Sequence, residues 1–258
     1  MSCGLMFESY EGEGLLVCGC EPGVTEVVIP LIYGGEAVVG VAPYAFEGNT
    51  KIVSVRIDEA VDTAFEGARD IEAGGLMTQP FTVGERAFAG CTSLCSVELP
   101  SSVTEIGTSA FNGCPRLEYC RIPSCFIGEY AFYGCESLVE VAPLDYVPEG
   151  AFSHCKSLKS LPVSSRATEI GEDAFYHCYG LVDVVIPASV RTIGALAFRS
   201  CYGLRSVTFA DPDGWVWRNG YPDREYPLDL SDPTKNAELL RTMDFDDGVL
   251  YWKRKGCR

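Results

Sequence analysis

Histidine occurs only twice in the 258 residues, at His154 and His177. So thin a supply leaves no histidine-rich metal centre, and the chain holds no HExxH, no Ser/His/Asp order and no phosphate-cradling glycine loop. Enzymatic chemistry is therefore not expected. Tryptophan is nearly as rare: three residues, all between 215 and 252. No apolar run reaches the roughly 18 residues of a membrane span. Bases are short as well, 20 against 36 acids, for a net charge of −16. The deficit is uneven: residues 1–87 hold 14 acids and 4 bases, 88–209 hold 12 and 8, and 210–258 hold 10 and 8. Attraction to phosphate needs the opposite sign, so nucleic acid is not an expected partner. The acidic surface instead keeps the chain soluble. The opening Met1 to Glu8 lacks the basic region and apolar core of a secretory signal. That suggests a cytoplasmic protein, or a cell-surface one if a leader has been trimmed.

Cysteine is plentiful, at 13 residues, and the number is odd. Cys91, Cys114, Cys135, Cys155, Cys178 and Cys201 each stand three residues after the phenylalanine of an Ala-Phe pair. One small side chain per repeat at a fixed interior position makes a ladder of buried free thiols. Parallel Cβ vectors suit disulfide geometry poorly, so the thiols are expected free, in a reducing or anaerobic setting.

The same Ala-Phe pairs set a period. Phe46, Phe65, Phe88, Phe111, Phe132, Phe152, Phe175 and Phe198 are separated by 19, 23, 23, 21, 20, 23 and 23 residues. A repeat of this length means stacked supersecondary units. Each unit reads as a strand, a turn at proline, an extended segment ending Ile-Gly, and a short helical turn carrying Ala-Phe-x-x-Cys. In Val97-Glu98-Leu99 the alternation points Glu98 outward. The unit of Phe65 is degenerate: Ala68 replaces the cysteine and Gly74 a valine, so a local defect is expected near 70–80, read as sequence drift, with a binding notch as the functional alternative. Asn49 takes a cysteine position, where its amide can bond backbone groups left open by the bend. The units Cys120 to Ile127 and Val141 to Val147 are short and require tighter turns.

The predicted architecture is a mainly β repeat solenoid over 27–209, with an N-terminal cap at 1–26 and a C-terminal cap at 210–258. In the latter, Asp211 to Gly214 is a turn and Ser231-Asp232-Pro233 starts a short helix. Leu239, Leu240 and Met243 are expected to face inward, and the tryptophans to close the last coil.

The segments 97–117 and 184–204 follow one pattern, Val-x-Ile-Pro-x-x-Val-x-x-Ile-Gly-x-x-Ala-Phe-x-x-Cys-x-x-Leu, with Leu99 in the isoleucine position of the first. This unit resembles the BspA-like leucine-rich repeats of the treponemal type, and the resemblance spans about residues 24–209. The stretch holding Phe209, Trp215, Leu228 to Pro233 and Trp252-Lys253-Arg254 is similar to the tail that follows such repeats in gut Firmicutes proteins. The resemblance implies a right-handed curved solenoid with short helical turns. It also implies a non-catalytic protein that binds a protein partner; the chain is further expected to be monomeric and to need no cofactor. Some members are surface adhesins for host matrix proteins or other bacteria.

The register predicts the outward strand positions: Ser54 and Arg56, Ser96 and Glu98, Tyr119 and Arg121, Glu140 and Ala142, Ser160 and Pro162, Asp183 and Val185, Ser206 and Thr208. Arg56, Glu98, Tyr119, Arg121, Glu140 and Asp183 form the candidate partner-binding row, with Tyr119 as anchor because Tyr and Arg dominate hot spots. A second reading is a carbohydrate- or cell-wall-binding protein using Trp215, Trp217 and Trp252, which would require those rings to be exposed. Three weaker candidates complete the list. His154 and His177 fall one coil apart and stack at about 5 Å. Cys18 and Cys20, with Cys3, could hold zinc but lack a zinc spacing. Asp244 to Gly248 has the look of a calcium loop without its closing glutamate.

Overall fold

The computed structural model describes residues 4–58, 80–219, 225–242 and 250–254. The chain forms two compact units, Met1–Ala131 and Phe132–Arg258. The Phe65 repeat with Gly74, Cys3, Met243 and the Asp244 to Gly248 loop lie outside the described residues.

The first unit contains β1 (Leu5–Tyr10), β2 (Gly14–Cys20), β3 (Glu26–Pro30), β4 (Ile32–Tyr33), β5 (Glu36–Val41) and β6 (Ser54–Asp58). They are followed by β7 (Phe81–Val83), β8 (Ser96–Glu98), β9 (Val103–Ile106), β10 (Tyr119–Arg121) and β11 (Phe126–Ile127). One parallel ladder runs β3-β6-β8-β10, and a second runs β2-β5-β7-β9-β11, with β1 antiparallel on β2 and β4 antiparallel on β5. Each coil thus gives one strand to each sheet. Val27, Val55, Val97 and Cys120 share one inward register position, and all are buried. Glu98, on the opposite face, is exposed, as alternation requires.

Adjacency of the coils departs from the count of repeats. Phe46 stacks on Phe88 at 5.0 Å and 10°, the Phe46 N–H donates to Ala87 O at 2.8 Å, and β6 pairs directly with β8. The Phe46 and Phe88 coils are therefore immediate neighbours.

The conserved look of each repeat has local causes. A Cβ on Gly107 would sit 2.7 Å from Glu85 N and 2.9 Å from Gly84 C, so the Ile-Gly step is a place where successive backbones touch. Gly90 and Gly113, two residues after the phenylalanine, have φ of 71° and 70°, and Arg86 and Ser109, two residues before it, have φ of 52° and 55°. These left-handed residues break the segment expected to be a short helical turn into separate i→i+3 turns, such as Cys91 N to Phe88 O. Freed from a helix, the turn's N–H groups donate along the stack: Phe88 N to Ala110 O at 2.8 Å and Gly90 N to Asn112 O at 2.7 Å.

The ladder cysteines are all buried and none is in a disulfide. Their role is more specific than filling space. The Cys91 thiol donates to Phe46 O at 3.2 Å and the Cys114 thiol to Phe88 O at 3.1 Å, tying each coil to the one before. Burial pushes the Cys91 thiol up to about 12, which makes it an inert thiol rather than a nucleophile. Asn49 bonds backbone as expected, its Oδ1 accepting from Lys51 N at 2.8 Å and Ile52 N at 3.2 Å.

The second unit repeats this scheme. Phe132, Phe152, Phe175 and Phe198 stack at 5.6, 5.7 and 5.3 Å, and Cys155, Cys178 and Cys201 donate to the preceding phenylalanine carbonyls. Its strands are β12 (Glu169–Ile170), β13 (Asp183–Ile186), β14 (Thr192–Ile193), β15 (Ser206–Phe209), β16 (Trp215–Asn219), β17 (Glu225–Pro227) and β18 (Leu250–Arg254), with helix α1 at Pro233–Thr242. In the shortened repeat, pairing shrinks to isolated bridges, Leu144 with Val163 and Val147 with Ile170. There the alternation fails. Pro162, expected outward, is buried beside Val163, because the Leu144 N–H reaches Pro162 O at 3.1 Å and draws the segment in.

At the C-terminal end, β18 pairs antiparallel with β14 and β16, while α1 packs on β15. Asp232 caps α1, accepting from Thr234 N at 2.9 Å and Lys235 N at 3.2 Å, with Pro233 in the first turn. Leu240 and Ala237 are buried, but Leu239 is only half-buried. The inward position that residue type concealed is Asn236, fully buried, whose Nδ2 donates to Val207 O at 2.9 Å and Leu230 O at 3.0 Å. It satisfies a carbonyl of β15 that, among the described residues, no following strand pairs.

Candidate partner-binding surface

Two outward rows cross the first unit's β3-β6-β8-β10 sheet. In register, Arg56 faces Glu98, which faces Arg121; beside them run Ser54, Ser96 and Tyr119. Neighbouring strands lie about 4.8 Å apart, so the two guanidinium stems flank one carboxylate stem. Arg56 also approaches Asp58 at 3.9 Å, and both side chains are about half exposed (53% and 41%), so the pair adds little stability. At the strand ends the chain turns through Leu99, Pro100 and Ser101, and a cavity of about 620 Å³ opens there. Arg56, Asp58, Glu98 and Arg121 line it. Tyr119, half exposed at 50%, stands on the adjoining row and not in the cavity.

Of the six candidate residues the structure thus gathers Arg56, Glu98 and Arg121, with Tyr119 next to them. Glu140 and Asp183 belong to the second unit, where both are exposed. Asp183 is engaged locally, accepting from Ser206 Oγ at 2.5 Å.

The tryptophans take a structural position. Trp215 and Trp252 are 2% and 4% exposed and pack on Phe209, with ring centroids at 5.1 and 6.0 Å; Trp217 is half-buried. Cys18 and Cys20 are partly buried with thiols raised by burial, and Cys20 accepts from Asn49 Nδ2 at 3.8 Å. Among the described residues no three His, Cys, Asp or Glu side chains converge as metal ligands, and no helix is long and apolar enough to cross a membrane.

One cluster escaped the outward-row reasoning because it sits on the turns. His154 and His177 stack at 4.7 Å and 12°, at the position that glycine fills in the Phe88 and Phe111 coils. Tyr133, Tyr176 and Tyr179 contact them edge-on or tilted, and His177 Nδ1 shares a hydrogen bond with Tyr179 OH at 2.5 Å. Burial lowers the pKa of both histidines. Lys156 lowers both further, as do His154 and Arg199 for His177; Glu136 and Asp173 oppose this at His154. With folded pKa values below the unfolded 6.5, the folded state takes up fewer protons there. Stability from this pair is complete above about pH 6.5 and is lost as the pH falls through the folded values. Thermal melts between about pH 7.5 and 5 should show wild type losing more Tm than His154→Gln/His177→Gln. Parallel profiles would mean that the pair carries no linkage.

A BspA-type leucine-rich repeat region, in six copies, matches residues 61–143 and 127–212. Two solved structures are similar over most of the chain. A leucine-rich cell surface protein of Faecalibacterium prausnitzii shares 25% identity at a TM-score of 0.65, over 90% of this chain and 62% of that one. The chain thus spans less than two thirds of that relative's length. The Treponema pallidum leucine-rich repeat protein shares 25% identity at a TM-score of 0.55, over 81% of this chain and 80% of that one. No curated protein sequence matches significantly. Repeats of this type are generally non-enzymatic and suggest a protein-interaction or surface scaffold role. Given the ladder of Ala-Phe-x-x-Cys turns, the two parallel sheets and a repeat match over most of both units, this chain belongs to the BspA-type leucine-rich repeat family.

Proposed function

We propose that the protein is a non-catalytic, monomeric, right-handed solenoid over 27–209, closed by caps at 1–26 and 210–258, that binds a protein partner through its outward strand face. The observation that carries this reading is the convergence of Arg56, Glu98 and Arg121 on one 620 Å³ cavity beside exposed Tyr119. Arginine and tyrosine are among the residues that dominate interface energy, and the concave seat lets Arg56 and Arg121 exclude water beside Tyr119. Glu140 and Asp183 extend the candidate surface on the second unit. The similarity to a surface protein of Faecalibacterium prausnitzii supports an exposed scaffold of this kind. The alternative, a carbohydrate- or wall-binding platform of C-terminal tryptophans, is disfavoured, because Trp215 and Trp252 are buried against Phe209.

A photo-crosslinking residue at Tyr119 should capture one defined protein from an extract of the source organism, whereas the same residue at Tyr44, equally exposed but on a turn away from the strand face, should not. Arg121→Glu should then weaken binding of that protein by about tenfold or more, with loss of its salt dependence. Equal adducts from both positions, or an Arg121→Glu variant of unchanged affinity, would refute the reading.

A further inference from the structure

The rings on the second unit's turns form a continuous path. It runs from Tyr133 through His154, Tyr176, His177 and Tyr179 to Tyr202, with successive centroid distances between 4.2 and 5.9 Å. Packing does not call for these rings. The Phe88 coil has Ala89, Gly90 and Thr92 in the corresponding positions. Tyr202 ends the path and is 68% exposed, more than any other large apolar side chain among the described residues. Tyr179 stacks on one face of it at 5.9 Å and 19°, which leaves the other face open. Beyond Tyr202 lies a hollow of about 460 Å³, closed on its far side by α1. Leu204, Arg205, Thr234, Glu238 and Arg241 line it with Tyr202. That volume falls within the range of roughly 300–1,000 Å³ typical of small-molecule sites.

We propose that this hollow binds an acidic sugar, a pyranose carrying a carboxylate. Two guanidinium groups against one carboxylate favour an anionic ligand locally, on a chain whose net charge of −16 repels anions elsewhere. Arg241 is held in place by its Nη1, which donates to Leu204 O at 3.0 Å, and four of the five donors of a guanidinium remain beyond that bond. A planar fork of this kind matches a carboxylate bidentately. The Tyr202 ring supplies a flat, electron-rich face for the C–H groups of the sugar, and Glu238 and Thr234 supply partners for its hydroxyls. A bare anion leaves the ring unused, and a neutral sugar leaves the arginines unused. Only a ligand with both features engages the whole lining. This site is independent of the Arg56–Glu98–Arg121 cavity, and neither proposal needs the other.

NMR titration of the full chain with glucuronate, glucose and acetate tests it. Glucuronate should shift the amide signals of Gly203, Arg205 and α1, and bind about tenfold or more tighter than glucose or acetate. Tyr202→Ala and Arg205→Ala should each weaken glucuronate by about tenfold, with the remaining spectrum unchanged. Should Tyr202→Ala lose its fold, Tyr202→Leu keeps the volume without the flat ring and should show the same loss. A tetrasaccharide ending in glucuronate identifies the source of the ligand: tighter binding than the monomer points to a glycan end, and equal binding to the free acid. Glucuronate no tighter than acetate, shifts confined to other regions, or folded variants of full affinity would overturn the proposal.

Discussion

Removing residues 210–258 should turn the protein into an insoluble or aggregating species. Three protections disappear together. Asn236 no longer meets Val207 O, β18 no longer pairs with Thr192 and Ile193 of β14, and Trp215 and Trp252 no longer cover Phe209. What remains is an open strand edge beside an apolar face, the combination that recruits another chain. Each tryptophan that is uncovered forfeits about 3 kcal/mol or more of burial. Asn236→Ala is the milder companion: it strands the Val207 carbonyl and should cost about 1–3 kcal/mol without aggregation. Solubility, sedimentation and thermal unfolding of residues 1–209 provide the measurement. A monomeric truncation that melts cooperatively would dismiss the cap. It would also revive the view of the segment as a binding platform, whose loss removes ligand and nothing else.

Phe111→Ala should destabilise the protein by about 3–5 kcal/mol. The ring is fully buried, stacks on Phe88 at 5.3 Å and 3°, and has Leu117 and Cys114 at the same depth. Neighbouring coils hold its walls apart through the Phe111 N to Ala131 O bond at 2.8 Å, so the cavity cannot collapse. Tyr119→Ala removes a ring that is already half in water and should cost under about 1 kcal/mol. Chemical denaturation of both variants measures the contrast. Equal losses would place Tyr119 in the packed interior and undo the assignment of the outward face.

Much of the repeat was legible because its constraints are local. The glycine of Ile-Gly is dictated by a backbone less than 3 Å from where its Cβ would stand, and the Ala-Phe-x-x-Cys turn by two left-handed residues around one ring. The left-handed pair recurs around each described ring, and the close approach at Gly84, Gly128, Gly171 and Gly194 as well, so these demands write the same letters at the same period. The C-terminal helix was legible for a like reason, since Asp232 and Pro233 satisfy a helix start by themselves. The thiol-to-carbonyl bonds were not, because a cysteine that donates and one that merely fills space look alike in sequence.

Sequence by itself therefore determined the full-length coil: which of its residues turn inward, where its bends fall, and that Arg56, Glu98 and Tyr119 share an outward face, while the shortened repeat with its buried Pro162 broke the pattern. Only tertiary structure decided which coils touch. Phe46 meets Phe88 because those two coils fit each other's rings and valines, an adjacency that the even spacing of the Ala-Phe pairs does not reveal. The same holds for Asn236, a polar residue whose place inside depends on the one β15 carbonyl it must satisfy. It holds also for the two hollows, whose walls come from strands and turns far apart along the chain. Outward positions are free of packing demands, so their residues follow no period, and only the folded chain brings Arg56 to Arg121 or Tyr202 to Arg241.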